Sequence, residues 1–206
     1  MILTQEQQDA LTELINIAFS KTAASLSDLT GHRVLLDVPK VDIIPIEDMN
    51  RKLGSFIQGE VATVHQIFTG TLAGDAMLVL NADGASMLVN LLTGQERPGI
   101  RVDATGREVL TEIGNILLNA CLGMFGNLLK VHVSFSVPRL FIEDLEAMMD
   151  TLVIGQDELR YALTVSTNFR VQGSAVEGYL VIVLGVVSLD QLIHAIERWA
   201  EHPITE

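Results

Sequence analysis

The sequence predicts an α/β protein of the α+β type: two similar α-β-β-β-α halves, related by a pseudo-two-fold, whose strands join into one continuous sheet covered by long helices. Three observations predict it. Displacing the chain by 99 positions brings two segments into register without gaps. Each segment opens with a long helical periodicity and continues into strand-like runs. One turn-rich stretch, residues 95–103 with Pro98-Gly99, lies between them. The expected organisation is a single domain over 1–206, with halves 1–94 and 104–206 and the linker 95–103.

The register is specific. Leu11, Thr12 and Glu13 fall over Leu110, Thr111 and Glu112, and Asn16-Ile17 over Asn115-Ile116. Leu29, Val34, Val38, Pro39 and Ile43 fall over Leu128, Val133, Val137, Pro138 and Ile142. The elements follow in order. A helix over 4–29 has Thr4 as its N-cap, Gln7 completing a capping box, and Gly31 as its stop. Its stripe is Leu11, Leu14, Ile15, Ala18, Phe19, Thr22, Ala23 and Leu26. A strand over 34–44 comes next. A hairpin made of 60–68 and 72–80 turns near Thr69-Gly70, and a short helix over 83–92 ends at Gly94. The second half predicts a helix over 104–129, a strand over 131–142, a hairpin over 159–184, and a last helix from Ser188 to Trp199. A short three-stranded sheet leaves open edges, so the halves are expected to pair with each other.

The 206 residues are 49% apolar and 19% charged, enough for a real core. The net charge of −13 argues against nucleic acid and anionic membrane surfaces as partners. The longest apolar run, 179–189, is broken by Gly185 and falls short of the roughly 20 residues that span a bilayer. No signal peptide is visible, and the lone Cys121 forms no internal disulfide; its apolar neighbours predict a buried helix position. A reducing, cytoplasmic setting is therefore expected, with no membrane insertion.

One repeated feature is polar. Asp9, Glu13 and Asn16 recur as Glu108, Glu112 and Asn115, with spacings that place each trio on one helix face. Asn is a poor mid-helix residue, because its amide competes for backbone bonds. A solvated face explains one such trio more readily than two at matched positions.

These residues resemble the CheC family signature: Asp or Ser, three residues, Glu, two residues, Asn, twenty-two residues, Pro. Its two copies here are Asp9, Glu13, Asn16, Pro39 and Glu108, Glu112, Asn115, Pro138. The strings 111–117 and 38–46 are also similar to the family. The resemblance spans nearly the whole chain. It implies a phosphatase of bacterial chemotaxis acting on the aspartyl phosphate of a CheY-type response regulator. It implies that Asn16 and Asn115 orient the attacking water, that Glu13 and Glu112 dock the regulator through its lysine, and that Asp9 and Glu108 are peripheral. Pro39 and Pro138 are expected to be structural, at a strand edge or bulge. No cofactor of its own is expected: Mg²⁺ comes with the regulator. Two departures stand out. Ile15 occupies the place where the family commonly has Gly, and Glu108 the place of Asp or Ser. The second site is accordingly expected to be the stronger.

Other signals are weak. The five histidines (His32, His65, His132, His194, His202) have no metal-ligand spacing, and His65 reads as a structural strand residue. There is no GxSxG, P-loop or dinucleotide fingerprint. Gly74-Asp75 and Gly84 read as turn and helix-start residues, Met77 and Met87 as core, and Met148-Met149 as an exposed loop. The competing readings are an adaptor that binds CheD, a receptor-modifying deamidase, and a flagellar switch component of the FliY or FliM type. The latter is expected to need added terminal regions. A CheX-type reading fits less well, since that branch keeps one motif.

Overall fold

The computed structural model describes residues 3–201 except 56, 58, 71–72, 95–101, 131, 149–159 and 172–173. Two long helices lead the two halves. Helix α1 spans Gln5–Thr30. Thr4 Oγ1 accepts from the Gln7 backbone N–H at 3.2 Å, and Gln7 Oε1 accepts from the Thr4 N–H at 2.8 Å, completing the capping box. Gly31, at φ 68°, ends the helix. Helices α2 (Met49–Gly54) and α3 (Ala82–Thr93) follow, and α4 spans Ala104–Leu129. Asp103 caps α4 by accepting from Gly106 N–H at 2.8 Å. Its end is unusual: Lys130 sits at φ 55°, in the left-handed region where the first half has Gly31. Helix α5 spans Val186–Glu201, starting two residues before Ser188.

The eight strands are β1 (Val34–Leu36), β2 (Lys40–Pro45), β3 (Glu60–Gly70), β4 (Gly74–Asn81), β5 (Val133–Phe135), β6 (Arg139–Asp144), β7 (Arg160–Val171) and β8 (Ser174–Gly185). They form one antiparallel sheet in the order β1-β7-β8-β4-β3-β5, with β2 also on β7 and β6 also on β3. The hairpins β3–β4 and β7–β8 meet at β4–β8 in the centre. Each half lends its first strands to the hairpin of the other, so neither half holds a contiguous sheet of its own.

The strands expected over 34–44 and 131–142 are each split in two, at 37–39 and at 136–138. Pro39 and Pro138 stand in these breaks; a residue without an N–H cannot continue the ladder. Asp37 is pinned to β7 there. Its N–H donates to the Asn168 carbonyl at 3.1 Å, and its own carbonyl accepts from Thr167 Oγ1 at 2.8 Å. Its carboxylate takes both Nε and an Nη of Arg170. Those hydrogen bonds from Arg170 hold the Asp37 carboxyl below its ordinary value; Asn168 adds to the effect.

The main core lies between one sheet face and α1, α3, α4 and α5. Residues alternate between the faces. Ala76, Leu78 and Leu80 of β4 and Leu180, Ile182 and Leu184 of β8 join this core. Met77, Val79, Val181 and Val183 join a second cluster on the opposite face. The long apolar run 179–189 is thus largely a central strand buried on both sides. Helix α4 is the one described helix long and apolar enough to cross a membrane. Its Leu110, Ile113, Leu117, Leu118, Cys121, Leu122 and Phe125 are fully buried in the main core. Burial pushes the Cys121 thiol up to about 12.

Four expectations need correction. The second cluster is covered by elements not expected from the sequence: the 3-10 turn Ile46–Asp48, helix α2 and a helical turn at 145–148. Met148 is buried there, not exposed, while Met149 lies outside the described residues. Met87 is exposed on α3 rather than core. Gly74 opens β4 instead of sitting in a turn, because Cα-only geometry lets the strand pass close to the Val183 carbonyl. His65 pairs through Nε2 with Asp75 Oδ1 at 2.9 Å across β3–β4, a structural role. Most of the expected linker, 95–101, lies outside the described residues.

Candidate functional site

Helices α1 and α4 pack against each other, and each presents one trio away from the core. On α1, Asp9 and Glu13 are exposed and Asn16 is half-buried, between the fully buried Leu14-Ile15 and Ala18-Phe19. On α4, Glu108 and Glu112 are exposed and Asn115 is half-buried. The apolar stripe that anchors each helix thereby fixes which way its polar face points.

Glu13, Glu108 and Glu112 have no hydrogen bond or ion pair to another described residue. Their carboxylates are open to an external cation. Asp9 differs: its Oδ1 accepts from Gln5 Nε2 at 2.8 Å. It also borders a groove of about 390 Å³ with Gln8, Pro39, Lys40 and Asp42, between the start of α1 and β2. Gln8 and Arg107 tie the two helices to the strands after the breaks, donating to the carbonyls of Val41 (3.0 Å) and Leu140 (3.2 Å). Exposed apolar side chains stand beside these features: Ile17 next to Asn16, and Val38 and Val137 next to the prolines, 72% and 82% exposed.

The two Asn residues have different surroundings. The Asn16 side chain has no hydrogen bond to another described residue; its backbone carbonyl accepts from Ser20 Oγ at 2.9 Å. Asn115 Oδ1 accepts from Asn119 Nδ2 at 2.8 Å. Asn119 Oδ1 in turn accepts from Gln66 Nε2 of β3 at 3.2 Å. The residues that precede the two Asn also differ. Ile15 is fully buried in the main core and does not stand in the path of a partner. Gly114 lies against Val64 of β3 so closely that a Cβ would come within 2.5 Å of Val64 Cγ1. Asn119 and Gln66 were not singled out by the sequence reading. The signals existed: Asn119 is a further mid-helix Asn, four residues after Asn115, and Gln66 is polar on the same strand face as the buried Val64 and Phe68.

Among the described residues, no group of three or more His, Cys, Asp or Glu side chains is placed to hold a metal ion.

No protein-family model matches the chain. Among curated proteins it is 24% identical over 173 residues to the flagellar motor switch phosphatase FliY of Bacillus subtilis, a match covering 82% of this chain and 44% of that protein. It is 24% identical over 179 residues to the CheY-P phosphatase CheC of the same organism, covering 81% of each. The chain thus spans less than half of FliY. Among solved structures, FliY of Thermotoga maritima superposes with a TM-score of 0.76 at 20% identity, covering 96% of this chain and 99% of that one. The FliM middle domain of H. pylori gives 0.64 at 12% identity, covering 94% and 99%. The fold is therefore that of the FliY and CheC-like proteins, a mixed helical and antiparallel class. In sequence the chain is similar to these named phosphatases, and in fold to FliY and the CheC-like proteins.

Proposed function

We propose that this chain hydrolyses the aspartyl phosphate of a CheY-type response regulator. The observation that carries the reading is the pair of an exposed Glu and a half-buried Asn that occurs on both α1 and α4, with carboxylates that no other described residue engages. The relatives named as phosphatases supply the reaction class. The FliM middle domain has the same fold, so the fold alone does not decide activity, and the reading rests on the side chains.

The chemistry suits an amide. Phosphoryl transfer demands alignment of the nucleophile and stabilisation of charge on the transferred group. A neutral Asn both donates to and accepts from a water without adding negative charge beside the phosphoryl oxygens; an Asp there would repel them. In this reading the regulator inserts its phosphoaspartate against one helix face. Asn16 or Asn115 holds a water in line with the phosphorus–aspartyl oxygen bond. Glu13 or Glu112 pairs with the regulator's lysine and sets the docking. The Mg²⁺ that neutralises the phosphoryl charge belongs to the regulator. The exposed Ile17, Val38 and Val137 offer apolar contact area that offsets the general repulsion expected from a net charge of −13.

The test is phosphate release from a phosphorylated CheY-type protein, comparing the wild type with an Asn16→Ala, Asn115→Ala double variant. Acceleration by the wild type and none by a folded double variant is the expected result. Equal acceleration by both would remove the two Asn from the mechanism. No acceleration by the wild type with any regulator would favour a role without catalysis, such as a switch component or an adaptor.

A further inference from the structure

We propose that Gln66 and Asn119 form a positioning relay that locks the Asn115 amide with its oxygen held by the protein and its nitrogen left for the ligand, so that the second site is preorganised and the first is not. This rests on the phosphatase reading above for its kinetic consequence, though not for its geometry.

The relay takes its polarity from the backbone. Gln66 is 2% exposed, and a buried amide must find partners. Its nearest anchor is the carbonyl of Ser136, in the break between β5 and β6, at 2.9 Å. A carbonyl only accepts, so the atom facing it must be Gln66 Nε2. The second hydrogen of that nitrogen goes to Asn119 Oδ1 at 3.2 Å. With its oxygen so used, Asn119 presents Nδ2 to Asn115, and the atom of Asn115 that receives it at 2.8 Å is Oδ1. Each amide could otherwise flip; the fixed Ser136 carbonyl orients all three. Asn115 Nδ2 has no partner among the described residues. The second site therefore offers a donor, held in one orientation, to a water or a phosphoryl oxygen.

Gln66 also carries a cost that packing does not explain. Its Oε1 is buried with no hydrogen-bond partner. A Met or Leu of similar size would avoid that orphan acceptor, so the retained amide calls for another reason.

The first half lacks the device at every step. Ser20 stands four residues after Asn16, where Asn119 follows Asn115, and its hydroxyl turns back to the helix backbone. Thr167 does for the Asp37 carbonyl what Gln66 does for Ser136, donating at 2.8 Å, but it is too short to reach a helix as well. The Asn16 amide is left to sample its rotamers. Freezing one such side chain is worth roughly a two- to tenfold change in rate when the frozen state is the productive one.

Two variants break the relay in the full-length chain: Gln66→Met and Asn119→Ala. The direct readout is the order of the Asn115 side-chain NH2, measured by ¹⁵N relaxation. It is expected to be high in the wild type and low in both variants, and higher than that of Asn16. The kinetic readout is phosphate release from a regulator phosphorylated with acetyl phosphate. The expected result is a kcat lowered by up to about tenfold with KM unchanged, a loss at least as large in an Asn16→Ala background, where the first site no longer dilutes it, and no further loss in an Asn115→Ala background. Grafting the pair as Ser20→Asn, Thr167→Gln should raise the order of the Asn16 amide. Unchanged Asn115 order in both variants overturns the relay. So does a kcat loss that persists in the Asn115→Ala background, which would be a general structural effect. If Gln66→Met does not fold, Asn119→Ala, on the half-exposed helix face, decides the matter alone. If the wild type hydrolyses no regulator tested, the phosphatase reading falls while the amide order still decides the relay.

Discussion

Two glycines in one helix give a prediction with opposite signs. Gly114 and Gly123 both lie inside α4, and alanine at either gains roughly 1 kcal/mol of helix propensity. A Cβ on Gly123 meets nothing within 4 Å, so Gly123→Ala should keep that gain. A Cβ on Gly114 would lie 2.5 Å from Val64 Cγ1, 2.6 Å from its Cβ and 3.0 Å from Cγ2. Those atoms must retreat by about 1 Å to reach ordinary contact, and Val64 is held on β3 in the buried core. Overpacking of this kind costs about 1–3 kcal/mol. The propensity term cancels between the two variants, so their difference is the clash itself. At about 2–4 °C per kcal/mol for a chain of this size, Gly114→Ala should melt roughly 2–12 °C below Gly123→Ala. Thermal unfolding followed by circular dichroism measures it. Adding Val64→Ala should rescue Gly114→Ala only in part, since the Cβ of residue 64 remains 2.6 Å away. If Gly114→Ala melts as high as Gly123→Ala, the close approach of α4 to β3 is wrong, and with it the argument that Gly114 lets Asn115 and Asn119 reach Gln66.

Three further predictions are independent of that one. Asn115→Ala should lower phosphatase activity more than Asn16→Ala, by a factor of about two to ten, because only Asn115 is held by another side chain; equal losses in a phosphate-release assay would refute the asymmetry. Asp37→Asn should destabilise the chain at pH 7 and do so less near pH 2. The folded carboxyl is held below the unfolded value of about 3.9, so its contribution is complete above that pH and disappears as pH falls through the folded value. Denaturant titrations at the two pH values measure this, and an unchanged midpoint at pH 7 counts against the Arg170 clamp. Lys130→Gly should stabilise by about 1 kcal/mol, since a left-handed residue at a helix end is strained with a Cβ and free without one; a lower melting temperature would refute that account.

The sequence revealed the long helices almost residue for residue, because their signals are local: a capping box at Thr4, a glycine stop at Gly31, and an apolar stripe running from Leu11 to Leu26. The strand exchange between halves was not legible beyond the expectation of one continuous sheet. Pairing β2 with β7, and β6 with β3, is a choice between equivalent edges, and no local signal marks it. The splits at Asp37 and Ser136 depend on contacts with residues more than 60 positions away, although the prolines announced some irregularity. Helix α2 is too short for periodicity to show, even though Met49 and Leu53 are spaced as one buried face. The polar trios were legible because helix spacing alone groups them. What lies beneath them was not, because Gln66 and Asn119 meet only through the tertiary fold.

The same division explains how two surface trios of similar composition can behave differently. Where α1 has Ile15, α4 has Gly114. Ile15 is fully buried in the main core, whereas Gly114 lets α4 come directly against Val64. That approach brings the Asn119 side of α4 within reach of the strand, and a long polar side chain at Gln66 then spans the gap to the Ser136 carbonyl. In the first half the corresponding carbonyl is that of Asp37, and Thr167 meets it with a hydroxyl that ends there. A polar relay is worth its burial only if every link is close enough to bond, and in the first half Ser20 and Thr167 supply neither of the two side-chain amides that link Asn115 to the strand. The departure at position 15 is therefore buried beneath the first trio and does not obstruct a partner at the surface.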